Sequence, residues 1–200
     1  MTSTLGMKAR LMLLATALLV PGVPGRARAS GGSQGENEVK VDYALARREI
    51  QAFETVLNGM IASAFSSSPF ALVQKTKGVY LPGYGTSFNF LVNIHRAMVS
   101  TPFGEIRRYE DSSPEQKRKR IEELTEKLVR ALQEYGGYLT QLPKDQSITI
   151  VAFYEDRNFP DEASQNRTVV ITATKRHLED FAGTQGRFKE FRQKVRILEY

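Results

Sequence analysis

The chain of 200 residues contains no cysteine. That one absence excludes disulfide staples, a thiolate nucleophile and a lipid attached through cysteine at a mature N-terminus. Histidine is scarce as well: only His95 and His177 occur, more than eighty residues apart. A zinc site needs a converging tetrahedral set of N and S donors, so no metal centre is expected. No convincing Ser or Lys constellation of the nucleophilic kind is present. Nothing in the chain asks for a cofactor. Long apolar runs are absent too, apart from a single short one near the start.

That run, Leu11 to Val20, follows Lys8 and Arg10 and falls short of the ~20 residues that span a bilayer. Pro21, Gly22, Pro24 and Gly25 interrupt it, and Ala27-Arg28-Ala29 supplies the small residues that a signal peptidase accepts. The order is that of a secretory signal, with cleavage expected between Ala29 and Ser30. Losing residues 1–29 removes four cations and no acid, which lowers the formal charge from +6 to +2. The basic balance then gives little reason to expect nucleic acid as a partner. The expected location is periplasmic or secreted, in a bacterium, and not as a lipoprotein.

Residues 30–40 are rich in Gly, Ser, Glu and Asn and read as a flexible leader. The single α+β domain is expected over 41–200. Tyr43, Ala46, Ile50, Phe53, Leu57, Met60 and Ala64 recur at spacings of three and four, one face of a helix that Pro69 ends. Thr86, Phe88, Phe90, Val92 and Ile94 alternate with more polar neighbours, the period of a half-buried strand. The preceding 71–81 makes its hairpin partner through Pro82-Gly83-Tyr84-Gly85.

Ser113, Pro114 and Gln116 spell a capping box for a second helix, which Gly136-Gly137 closes. Strands follow over 147–154 and 168–174, then a helix from Gly186 to Leu198. The expected architecture is a four-stranded antiparallel sheet, two hairpins, with three helices in the order α-β-β-α-β-β-α.

Four features carry possible chemistry. Tyr80 and Tyr84 sit on a loop made sharp by glycine and stiff by proline, which suits either a binding surface or local packing. Asn89, Asn93 and His95 share the outward face of their strand, so they join the tyrosines as ligand- or partner-binding candidates. Asp156, Asp161 and Glu162, in a charged loop after the third strand, are oxygen donors of the kind Ca²⁺ takes, without EF-hand spacing. Basic residues cluster at 117–120 and along 187–196, where a solvated helix face and a membrane-facing one look alike.

The expectation is a non-enzymatic exported binding or accessory protein. Its partner would be an envelope or secreted protein, with no nucleic acid and with peripheral membrane contact open. The alternatives are a hydrolase-like enzyme using acids of the 155–162 loop, or a membrane-surface protein using the basic C-terminal helix.

Overall fold

Asp42 starts the first helix by accepting hydrogen bonds from the amides of Ala44 (2.9 Å) and Leu45 (3.1 Å), donors that a helix N-terminus leaves unpaired. Helix α1 (Tyr43–Ala64) then buries Ala46, Ile50, Phe53, Leu57 and Ile61. The computed structural model describes residues 41–65, 71–94, 99–101, 104–106, 113–156 and 166–200. The buried stripe corrects the expected one at both ends. Tyr43 is exposed, and Ile61, four residues on from Leu57, joins the stripe as its fully buried last member, with Met60 and Ala64 partly buried against the core beside it. The segment with Pro69 lies outside the described residues.

Strands β1 (Leu72–Leu81) and β2 (Gly85–Asn93) form the expected antiparallel hairpin. Its turn closes with the Tyr84 amide donating to the Leu81 carbonyl at 3.0 Å, and Gly83 takes φ 78°. Pro followed by a positive-φ glycine is the signature of a type II turn. Two short strands, β3 (Val99–Thr101) and β4 (Gly104–Ile106), make a separate hairpin that the sequence did not suggest.

Helix α2 (Pro114–Tyr135) opens on the expected capping box. The Gln116 amide donates to Ser113 Oγ at 3.3 Å, and the Ser113 amide to Gln116 Oε1 at 3.0 Å. A 3-10 turn at Gly136–Tyr138 ends it. Strands β5 (Ser147–Glu155) and β6 (Arg167–Thr174) follow, then α3 (Lys175–Asp180), a 3-10 turn at Gln185–Arg187, α4 (Phe188–Lys194) and β7 (Arg196–Glu199).

The class is α+β, and the sheet differs from the expected one in two respects. It has five strands in the order β1-β2-β5-β6-β7, and β2 pairs β5 in parallel while all other neighbours are antiparallel. A parallel pair needs a long crossover, which the segment containing α2 provides. The expected C-terminal helix is corrected as well. Only seven residues of it are α-helical, and Val195-Arg196-Ile197-Leu198 turns into the edge strand, as its β-branched residues favour.

Inward residues of the sheet share one core with the helices. Phe88, Phe90 and Val92 of β2, Ile148 and Ile150 of β5 and Ile171 of β6 are buried with Leu57 of α1 and Leu128 of α2. Phe53 meets Phe88 edge to face, with centroids 4.9 Å apart. Along the other side of β1, α1 reaches down to the strand: Asn58 Oδ1 accepts from the Thr76 amide at 2.8 Å and Glu54 Oε1 from the Gly78 amide at 2.7 Å.

Tyr154 is the largest side chain in this core, 1% exposed, and among the described residues its hydroxyl has no hydrogen bond of good geometry, with Thr125 its polar neighbour. Burial pushes the phenol pKa well above its ordinary value. The native state therefore keeps a proton that the unfolded chain loses near pH ~10. The resulting stabilisation is complete below that pH and is lost as pH rises towards the folded value. Tyr154→Phe is expected to raise stability at neutral pH by about 1 kcal/mol, by removing an unsatisfied buried hydroxyl. It should also flatten the alkaline limb of the stability curve. Urea denaturation at pH 7 and 10.5 checks both.

Candidate functional site

The helices cover one face of the sheet, and the register sets out the other. Ser87 of β2 stands beside Thr149 of β5, which stands beside Thr172 of β6 and then Arg196 of β7. The next outward row runs Asn89, Val151, Val170, Leu198, and the one after it Leu91, Phe153, Thr168. Among the described residues no helix or second sheet is stacked on these rows. Val79, Phe153 and Leu198 are exposed there.

Tyr84 lies across the first row. Its ring is 45% exposed, and its hydroxyl sits 2.6 Å from Thr149 Oγ1, which in turn is 3.0 Å from Thr172 Oγ1. Three hydroxyls on the loop and two strands thus form one chain, each member orienting the next. The ring is neither tucked under the hairpin nor loose. It is held against the open face with one side to solvent.

Tyr80 does not join it. Tyr80 pairs with Thr86, whose side chain points to the helices, and meets Tyr43 edge-on at 5.9 Å. The two tyrosines expected to act together therefore face opposite sides of the sheet. Asn89 belongs to the open face and is partly exposed. Asn93 falls at its far end but is buried, with its amide donating to the Ala71 carbonyl at 2.7 Å. His95 lies outside the described residues.

The acidic loop is divided in the same way. Asp156 accepts both oxygens' worth of hydrogen bonds from Lys117 Nζ, at 2.7 and 2.9 Å, while Asp161 and Glu162 lie outside the described residues. Among the described residues no group of three or more His, Cys, Asp or Glu side chains is placed to hold a metal ion. Tyr84 and Asp156 flank opposite ends of β5, separated by roughly 30 Å at ~3.3 Å per residue. They cannot act on one small substrate.

The basic clusters are largely matched by acids. Arg118 pairs Glu122 at 3.7 Å and Lys119 pairs Glu123 at 4.0 Å, one helical turn on. Arg187 is held by Glu190 at 2.7 Å and Arg192 by Glu126 at 2.8 Å. Among the described residues no helix is long and apolar enough to cross a membrane.

A buried cation escaped the sequence reading. Lys175, the first residue of α3, is 2% exposed, and its ammonium donates to the Gly137 carbonyl at 2.6 Å and faces Glu179 at 3.7 Å. Burial draws its pKa below the usual lysine range, with Glu179 and then Glu49 opposing the shift. Glu179 is also paired with Lys144 at 3.2 Å. Thr140 and the Gln141 amide (3.2 Å) donate to Glu49. This network ties the end of α2 to the starts of α1 and α3, and its members Gly137 and Glu179 also line a cavity of about 500 Å³ together with Gln133, Tyr138 and Thr184. Its role is to join elements.

No family model matches the chain, and neither does any curated protein.

Proposed function

We propose that the protein is an exported, non-enzymatic binding or accessory protein that meets a protein partner across the open face of its sheet. One observation carries the reading. Ten large apolar side chains are exposed among the described residues, and Val79, Leu81, Tyr84, Phe153, Leu198 and Tyr200 all belong to the open face or its rim. Apolar side chains scattered singly over a surface need no explanation, whereas two apolar groups on one face, Val79, Leu81 and Tyr84 at one corner and Phe153, Leu198 and Tyr200 at the other, with polar rows between them, suit a protein interface. Asn89, Ser87 and the threonines between them offer the hydrogen bonds that such interfaces interleave with apolar contact. A broad sheet face is flat, which suits a macromolecule better than a small ligand, whose sites are concave.

Tyr84 is the anchor this reading implies, since a half-exposed ring whose hydroxyl is already held loses little freedom on binding. Photo-crosslinking in the living source cell tests the proposal. An azidophenylalanine at Leu198 or Val79 is expected to give one discrete protein adduct, and one at Lys119, on the opposite layer, none. Tyr84→Ala should weaken the adduct and lower the melting temperature only slightly. Equal labelling from all three positions, or none, would sink the proposal. N-terminal sequencing tests the export half: the mature chain is expected to begin at or near Ser30.

A further inference from the structure

The outer groove between α1 and α2 is unrelated to the sheet face and has features of its own. Two concavities run end to end along it. One, of about 500 Å³, is walled by Gly59, Met60, Ser63, Lys127 and Arg130; the other, of about 220 Å³, by Glu49, Ala52, Phe53, Tyr138 and Leu139. Val56 and Tyr135 line both, so the two are immediate neighbours along the groove. The lining is mainly apolar, and the pair has the dimensions of a small-molecule site.

Gly59 is the first sign that the space is kept for something. It lies within α1, where glycine weakens a helix relative to alanine. Nothing in the structure needs the room, because a Cβ built there meets no atom within 4 Å.

Charge at the Gly59 end is the second sign. Lys127 and Arg130 stand one turn apart on α2, and Lys127 makes no ion pair among the described residues. Arg130 lays its guanidinium over the Phe188 ring, 3.8 Å from the centroid, and makes no hydrogen bond among the described residues. Stacking fixes the plane of the guanidinium while leaving its edge donors unused, the arrangement that grips a carboxylate with two parallel hydrogen bonds. Glu134 follows one turn along and Glu49 lines the far end. An anion is therefore favoured only at the Lys127 end.

We infer that this groove binds a monomeric single-chain carboxylate amphiphile, with its head on Arg130 and Lys127 and its tail passing Val56 and Tyr135 towards Leu139. Met60, flexible and polarisable, adapts the wall to tails of different length.

Isothermal titration of the full chain with dodecanoate, kept below its micelle concentration, tests the inference. One site is expected. Dodecyltrimethylammonium, with the same tail and the opposite head charge, should bind at least about tenfold more weakly. Lys127→Gln combined with Arg130→Gln should weaken dodecanoate by about tenfold or more. Gly59→Leu fills the groove at a position with free space, so it should abolish binding while leaving the melting temperature unchanged or raised. Tyr84→Ala, on the opposite layer, should leave the affinity unaltered, which separates this site from the sheet face. No binding, equal binding of the two head groups, or binding that survives Gly59→Leu would overturn the inference.

Discussion

Gly85→Ala is expected to leave almost no folded protein. Gly85 takes φ 128°, a backbone region closed to residues with a Cβ, and it pairs with Leu81 on one side and Ser147 on the other. A Cβ there would overlap the Ser147 carbonyl oxygen and come within 2.8 Å of the Ser147 nitrogen. Both atoms are backbone, so neither can swing aside. Strain and overlap together should exceed about 4 kcal/mol, a large part of what a domain of this size has to lose. Gly83 provides the control two residues earlier. Its φ of 78° is also positive, but nothing stands within 4 Å of its added Cβ, so Gly83→Ala should cost only about 1–2 kcal/mol. Circular dichroism and urea midpoints of the two variants make the comparison; similar midpoints would show that the β2–β5 junction can open to make room.

Phe90→Ala is expected to destabilise by about 3–5 kcal/mol, as loss of a buried aromatic does. Phe90 is 1% exposed, on a strand with partners on both sides, and pairs directly with Ala152. Alanine opposite alanine leaves a cavity that neither β5 nor the helix layer can fill by rotating a side chain. Asn89→Ala changes the neighbouring residue on the open face and should cost well under half as much. Denaturation midpoints read both, and comparable values would mean that the inward and outward faces of β2 have been exchanged.

Both expectations rest on β2, the element most legible in the sequence. Alternation of Thr86, Phe88, Phe90 and Val92 with their neighbours announces a strand and its buried face, and Pro82-Gly83 announces the turn before it. The capping residues Ser113 and Gln116 place the start of α2 to the residue for the same reason: the signal is local, and the physics that produces it acts over a few residues. Partner and direction are not local. The pattern of β2 is equally satisfied by an antiparallel or a parallel neighbour, and only the length of chain between β2 and β5, with a helix inside it, argues for a crossover. The C-terminal stripe misled because Phe188, Phe191, Val195 and Leu198 fit a helix while the run 195–198 fits a strand equally well. Packing decides between them, and Ile197 is the residue that turns inward.

The candidate site was legible in part. Tyr84 was singled out by its setting between Gly83 and Gly85, yet its companion in the sequence, Tyr80, belongs to the other layer. That division follows from cross-strand pairing, since Tyr80 sits beside the inward Thr86. Lys175 gave no signal at all. A lysine after a β-branched strand reads as a solvated one, and its burial depends on a carbonyl 38 residues away in sequence. The α1–α2 groove was equally silent, because a glycine in a helix and two cations a turn apart gain meaning only when a second helix faces them.

The two hydrogen bonds from α1 to β1 bear on how copies of the protein behave when crowded together. β1 is the long outer strand of the sheet, and such a strand normally presents a row of free amides on which another chain can add itself. Here the Thr76 and Gly78 amides are already taken by Asn58 and Glu54, and the strand's register is broken twice, between Leu72 and Gln74 and between Gln74 and Lys77. An incoming strand would find neither a straight template nor its donors. Lys75 and Lys77 on the same stretch add like charge against a second copy. The opposite border, β7, is only four residues long. Fibril growth by strand addition is thereby obstructed at both borders, so the chain can be concentrated without one copy serving as the template for the next.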